Sequence, residues 1–302
     1  MVSTTDNALD IIMKSLFNPY KERVADVDKI VSSMITKGLI ADENEIVNDH
    51  IAFRTMGVRH LGIASFEKIF LHHGYKKMAY YQFPEKKLNA YWYAPPIDRL
   101  PRIFISELRV QDLSEKAQGI IQKYTEQVTA DPVDHLDLDN LEVVGEFFHK
   151  PLWSLPTLQD YQTLLEESEY AAWVIYNRYY LNHYTISVHE LPQPYSELKN
   201  FNGFLESIGV LLNTSGGKIK TSKDGLLKQS SSVAQMVPAE FAGGETVEIA
   251  GSYVEFAERL PLPEYQNRPQ EKVSREQRRD GFEAANADKI FESTYTEQTQ
   301  KN

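Results

Sequence analysis

Residues 48–57 read NDHIAFRTMG. Ile51, Ala52 and Phe53 run up to Gly57, the pattern of a short buried strand, yet His50 and Arg54 stand inside it. Strand side chains alternate faces, so an imidazole and a guanidinium share one wall, about 13 Å apart at about 3.3 Å per residue. Upstream, Leu9, Ile12, Met13 and Leu16, then Val24, Val27, Ile30, Val31, Met34 and Ile35, recur at helical spacing. They predict a helical N-terminus over 6–39, broken near Asn18-Pro19. Downstream, residues 63–73 predict a helix closed by Gly74 at a left-handed cap. KKMAYYQFP, LNAYWYAPP and PRIFISELRV follow as short strands. The order is β-α-β-β-β.

A helical insert over 112–178 comes next. Residues 112–128 have a polar-faced helical pattern, and 157–178 a helical one with Leu164, Leu165, Ala171, Ala172, Val174 and Ile175 on its apolar positions. Between them DPVDHLDLDNLE (131–142) reads as an acidic loop. Its Gly and terminal Glu are not at the offsets a calcium loop requires. Then the first pattern returns. NHYTISVHE (182–190) predicts a strand and SELKNFNGFLESIGV (196–210) a helix, with a turn at Gly216-Gly217. LLKQSSSVAQMVPAEF and ETVEIAGSYVEFAERL supply further strands.

Two modules, about 48–110 and 182–260, therefore predict an α+β fold with a curled, mostly antiparallel sheet, because neither copy alone closes a core. Residues 263–295 predict a C-terminal segment docked through Phe282, Ala285, Ile290 and Phe291. Together 1–295 read as a single catalytic domain, and 296–302 as a disordered tail. Aligned by element order, the first strands hold His50 and His183 and the last strands hold Glu107 and Glu255. Four potential metal ligands fall at matching places.

Composition narrows the function. The 302 residues carry a net charge of −11, which disfavours a nucleic-acid or anionic-membrane partner but not a small anion met by a local Arg. There is no cysteine, so disulfides, thiolate metal sites and cysteine nucleophiles are excluded. No apolar run approaches the roughly 20 residues that span a bilayer. MVSTTDNALD lacks the basic and apolar regions of a signal peptide. The expectation is a soluble cytoplasmic protein.

Of eight histidines, His72 and His73 sit at a helix end, His60, His135 and His149 in polar loops, and His189 near a strand end. His50 and His183 differ in opening repeated strands. A lone strand histidine is usually a core residue; two at equivalent positions, with a glutamate on the closing strand, shift that balance. Two His and one carboxylate form the facial triad of non-haem Fe(II) oxygenases, with His₂Glu zinc as the chemical rival. Glu255 and Glu258, three apart, face opposite ways, and Glu107 reads as a structural or supporting group in preference to a fourth ligand, the role it would take in a Zn²⁺ or Ni²⁺ enzyme. Arg54 is either paired with a surface carboxylate or positioned to grip a substrate carboxylate bidentately. KQSSSVAQ offers Gln229, Ser230 and Ser231 as hydrogen-bonding groups for an anionic substrate, or simply a polar edge strand.

NDHIAFRTMG, RIFISELRV, LNHYTISV, LLKQSSSVAQ, GSYVEFAERL and GFEAANADKIFEST, in that order, resemble the 2-oxoadipate dioxygenase/decarboxylase family over roughly residues 8–295. The resemblance implies a vicinal-oxygen-chelate-type fold around a mononuclear Fe(II). It implies conversion of 2-oxoadipate and O₂ to 2-hydroxyglutarate and CO₂, in lysine breakdown. It also implies metal ligands at His50, His183 and Glu255, and a substrate-binding Arg54. The alternatives are a Zn²⁺ or Ni²⁺ isomerase or hydrolase on the same scaffold, and a non-catalytic small-acid binding module.

Overall fold

A computed structural model describes residues 4–269 and 272–300. The chain opens with α1 (Thr4–Arg23) and α2 (Ala25–Thr36). The first module is β1 (Asn48–Met56), α3 (Ile63–His72), β2 (Lys76–Phe83), β3 (Leu88–Ala94) and β4 (Arg102–Leu108). The insert supplies α4 (Glu115–Thr125), α5 (Leu141–Phe147), α6 (Leu158–Glu167) and α7 (Glu169–Asn177). The second module is β5 (His183–Ser187), α8 (Leu198–Ser207), β6 (Lys220–Thr221), β7 (Leu227–Ser231), β8 (Met236–Glu240), β9 (Thr246–Ala250) and β10 (Tyr253–Arg259). α9 (Ala284–Phe291) and α10 (Thr296–Thr299) end the chain. No helix among the described residues is long and apolar enough to cross a membrane.

Eight strands form one sheet in the order β2-β3-β4-β1-β5-β10-β7-β6. Each module contributes four neighbours, and β1 and β5 meet antiparallel at the centre. Within each module the first and last strands pair parallel, His50 beside Arg102 and His183 beside Tyr253. One face carries His50, Ala52 and Arg54. The other carries Ile51 and Phe53, where Phe53 packs on Phe66 of α3 with ring centroids 4.8 Å apart and on Phe148 at 5.9 Å.

Several elements differ from the sequence reading, each for a local reason. α1 runs through Pro19 and breaks only at Val24. Proline removes the N–H that would bond the Ser15 carbonyl; the His149 ring reaches that carbonyl instead, 2.8 Å from Nε2. The predicted 157–178 helix is two helices, because Ser168 is extended and its side chain accepts the Ala171 N–H as an N-cap. α5, within a stretch assigned to no helix, starts on the Asn140 cap. β8 and β9 leave the main sheet as a separate hairpin between β7 and β10. Phe282, Ile290 and Phe291 are buried as expected, whereas Ala285 is exposed. The expected disordered tail is in part a helix: in α10 Gln298 is buried and its Oε1 accepts the Thr214 N–H at 3.0 Å. Residues 301–302 lie outside the described residues.

Candidate metal centre

The sheet register brings His50 (β1), His183 (β5) and Glu255 (β10) together on the concave face. They are 2%, 6% and 1% exposed, so water does not solvate the cluster. One ligand atom from each lies within 4.8 Å of the others. Glu255 Oε2 is 3.4 Å from His50 Nε2 and 3.0 Å from His183 Nε2. The His183 Nε2 nonetheless has no hydrogen bond among the described residues. Two ring nitrogens and a carboxylate oxygen converge on one point, and His183 Nε2 meets Glu255 only as a charge contact outside hydrogen-bond geometry. That donor set fits a divalent cation with open positions for further ligands.

Electrostatics agree. Burial opposes ionisation of Glu255, but His50 and His183 outweigh it and hold the carboxyl far below the usual range. The carboxylate is further oriented by Gln229, whose Nε2 donates to Oε1 at 2.6 Å, and Gln229 is set by Asn286 Nδ2 at 3.0 Å. Each histidine is steadied at Nδ1 by the residue before it: Asp49 Oδ2 at 2.8 Å for His50, Asn182 Oδ1 at 3.0 Å for His183. Burial presses down both imidazoles' proton affinity. For His50 the Glu255 and Asp49 carboxylates reverse this and raise it; for His183 burial prevails and it stays lowered. Asp49 is itself clasped by Arg259, with Nε 2.6 Å from Oδ1 and Nη2 2.9 Å from Oδ2. Burial works against its charge, but Arg259 and Arg102 hold the carboxyl well below the ordinary value.

Arg54 shares the concave face and is 1% exposed. No carboxylate lies within 4 Å of it among the described residues. Its Nη1 donates to Thr294 Oγ1 at 2.9 Å and its Nη2 to the Phe291 carbonyl at 3.0 Å. Tyr170 and Trp173 flank the guanidinium, each with its ring centroid 5.2 Å from Cζ. Its Nε and the Tyr253 hydroxyl have no hydrogen-bond partner among the described residues. A buried cation without a counter-ion is costly, and the arrangement is ready for an anion.

The remaining candidates divide by strand parity. Gln229 and Ser231 face the cluster, and Ser231 Oγ is 2.8 Å from Ser293 Oγ. Ser230 faces the other way, donating to Asn202 Oδ1 of α8 at 2.7 Å, so it is no part of this site. Glu107 is not the repeat partner of Glu255. Glu255 pairs with Thr185, two residues past His183, and Phe104 pairs with Ala52, two past His50. Phe104 thus takes the place of a fourth ligand, while Glu107 points to α3 and accepts the Ile63 N–H at 2.8 Å. His189 also leaves the site: its Nδ1 meets the Arg259 N–H at 3.2 Å.

The docked C-terminal segment was expected from the sequence, but not that it covers the site. Phe282 sits on His50 with centroids 4.8 Å apart, and Asn286, Phe291, Ser293 and Thr294 reach Gln229, Ser231 and Arg54. Nothing local in these residues marks them as site residues. The Asp-His and Asn-His pairs opening each module were a legible signal.

Two repeated modules closing on a buried two-histidine, one-glutamate cluster define a protein with a candidate metal centre on a curled mixed sheet. A glyoxalase-superfamily protein from Ralstonia eutropha shares this fold, with a TM-score of 0.72 and 23% identity over 93% of this chain and 88% of that one. The family model described as 2-oxoadipate dioxygenase/decarboxylase matches residues 12–272. A chloroplastic 2-oxoadipate dioxygenase/decarboxylase of Arabidopsis thaliana is 46% identical over 268 residues, 85% of this chain and 70% of the relative. The Oryza sativa hydroxyglutarate synthase, crystallised with 2-oxoadipate, superposes with a TM-score of 0.90 at 39% identity, covering 99% of this chain and 96% of that one. The chain belongs to the 2-oxoadipate dioxygenase/decarboxylase family, and is an enzyme of it. The cytoplasmic expectation is overturned, since the Arabidopsis relative is a chloroplastic protein.

Proposed function

We propose that this chain uses Fe(II), held by His50, His183 and Glu255, to convert 2-oxoadipate and O₂ to 2-hydroxyglutarate and CO₂. The atoms balance with one oxygen of O₂ in the new carboxylate and the other in the hydroxyl. The observation that carries the reading is a buried three-ligand cluster with a buried guanidinium, Arg54, on the same strand face and no carboxylate within 4 Å of it among the described residues. Ferrous iron supplies the open coordination positions and redox chemistry that a 2-oxo acid and O₂ require.

The protein's part is geometric. Arg54, four residues from His50 along β1, binds the distal carboxylate of the diacid. Thr294 and the Phe291 carbonyl keep its guanidinium in one orientation. Gln229 and Asn286 orient Glu255. Phe282 over His50 and the Tyr170 and Trp173 rings around Arg54 exclude water, which strengthens the charge pairing.

The test is anaerobic loading of apo-protein with Fe(II), then oxygen uptake and product analysis with a panel of 2-oxo acids. Expected are stoichiometric O₂ consumption and 2-hydroxyglutarate from 2-oxoadipate. No uptake with Fe(II) bound, or turnover without O₂ on a Zn²⁺- or Ni²⁺-loaded protein, would overturn the reading.

A further inference from the structure

Strand pairing maps the two modules onto each other in register. His50 maps to His183, and the residues before them, Asp49 and Asn182, map to each other. Arg102, beside His50 across the β1–β4 pair, maps to Tyr253, beside His183 across β5–β10. Continuing along β4 and β10, Leu108 maps to Arg259. The first histidine is therefore backed by a carboxylate that two guanidiniums compensate. Arg259 grips Asp49 through two atoms, and Arg102 Nη1 lies 3.3 Å from Oδ1. The second histidine is backed by a neutral amide with neither guanidinium. Asn182 Nδ2 has no hydrogen-bond partner among the described residues, and a Tyr253 ring stacks on His183 at 4.7 Å in place of a cation.

A carboxylate behind a ligating imidazole fixes its tautomer and raises its basicity as a ligand, and losing such a partner costs about 10- to 100-fold in metal affinity. An amide oxygen fixes the tautomer but adds no charge. Buried as deeply as Asp49, a carboxylate at 182 would lack the two guanidiniums that offset Asp49, because Tyr253 and Leu108 stand at the mapped positions. The asymmetry is thus built in at three mapped pairs of positions rather than one.

Resting on the metal reading above, we propose that Asp49 is a positioning residue that makes His50 the anchoring ligand of the metal, while His183, backed by Asn182, is the weaker and more readily exchanged one. Asp49 touches neither substrate nor metal and acts through His50. Arg259 and Arg102 act one step further out, by holding Asp49 charged and in place.

The experiment is Co(II) titration of the apo-protein, followed by its visible absorption, for wild type, Asp49→Asn, His50→Ala and His183→Ala. Circular dichroism checks the fold of each. Asp49→Asn is expected to bind Co(II) about 10- to 100-fold more weakly, with a shifted ligand-field band. His50→Ala is expected to lose at least about ten-fold more affinity than His183→Ala. A lower melting temperature with unchanged affinity and spectrum in Asp49→Asn would reduce Asp49 to a structural role and overturn the proposal. Should that variant not fold, equal affinity losses in the two alanine variants overturn it independently. Absence of Co(II) binding by the wild type would instead sink the metal reading itself, a result distinct from either of these.

Discussion

Glu107 and Glu258 hold the same place in the two modules. Each is three residues past the position that maps to the Glu255 site, and each accepts the N–H of the first residue of its module's helix. The distances are 2.8 Å to Ile63 for Glu107 and 2.8 Å to Leu198 for Glu258. A helix N-terminus leaves unsatisfied N–H groups and a partial positive charge, and a carboxylate from a neighbouring strand answers both. The two modules therefore share a helix clamp, while the carboxylate of the candidate metal cluster stands in the second module only.

The first prediction follows from that clamp. Glu107→Ala or Glu258→Ala should each destabilise the protein by about 1.5–3 kcal/mol, the scale of a hydrogen bond to a charged group. Urea unfolding would show the loss, and metal content should stay at wild-type level. Loss of bound metal in Glu107→Ala would return Glu107 to the ligand set.

Arg54→Gln should retain metal and lose grip on the far carboxylate. The expected effect is a rise in KM for 2-oxoadipate, with a loss on the order of 2–5 kcal/mol in kcat/KM for removing one partner of a buried charge pair. A 2-oxo acid of the same length without the second carboxylate should not distinguish the variant from wild type. Unaltered kinetics on the diacid would make Arg54 purely structural.

His149→Ala should strand the Ser15 carbonyl that Pro19 leaves without a helical partner. The cost is about 1–3 kcal/mol for a polar group left unsatisfied. Adding Pro19→Ala restores an N–H to the helix, so the double variant should recover part of the loss. Additive losses in chemical denaturation would show that the His149–Ser15 contact does not compensate for the proline.

Burial pushes His189 down to about 3 from its ordinary value of 6.5. The unfolded chain takes up the proton first, so the contribution of neutral His189 is fully present above about pH 6.5 and declines as pH falls toward about 3. Urea midpoints of apo-protein at pH 7.5 and pH 5 should differ more in wild type than in His189→Gln. Equal drops would exclude His189 as a source of acid sensitivity.

Much of this architecture was legible along the chain. Period-two alternation placed His50 and Arg54 on one face, and the returning β-α-β-β-β pattern paired His50 with His183. Alternation also separates Gln229 from Ser230, which face opposite sides of β7. What alignment by element order could not supply was register. Loop lengths differ between modules, so Glu107 fell opposite Glu255 when strand pairing sets it opposite Glu258.

The sequence by itself determined the strand faces, the order of elements and the residue types able to hold a divalent cation, because these depend on local period and side-chain chemistry. Only the tertiary structure decided that Asp49 meets Arg259, 210 residues away, and that Phe282 closes over His50. It also decided that Arg54 is buried without a carboxylate partner within 4 Å among the described residues. Those outcomes depend on which strands become neighbours and where the C-terminal segment docks, and no short-range pattern encodes either.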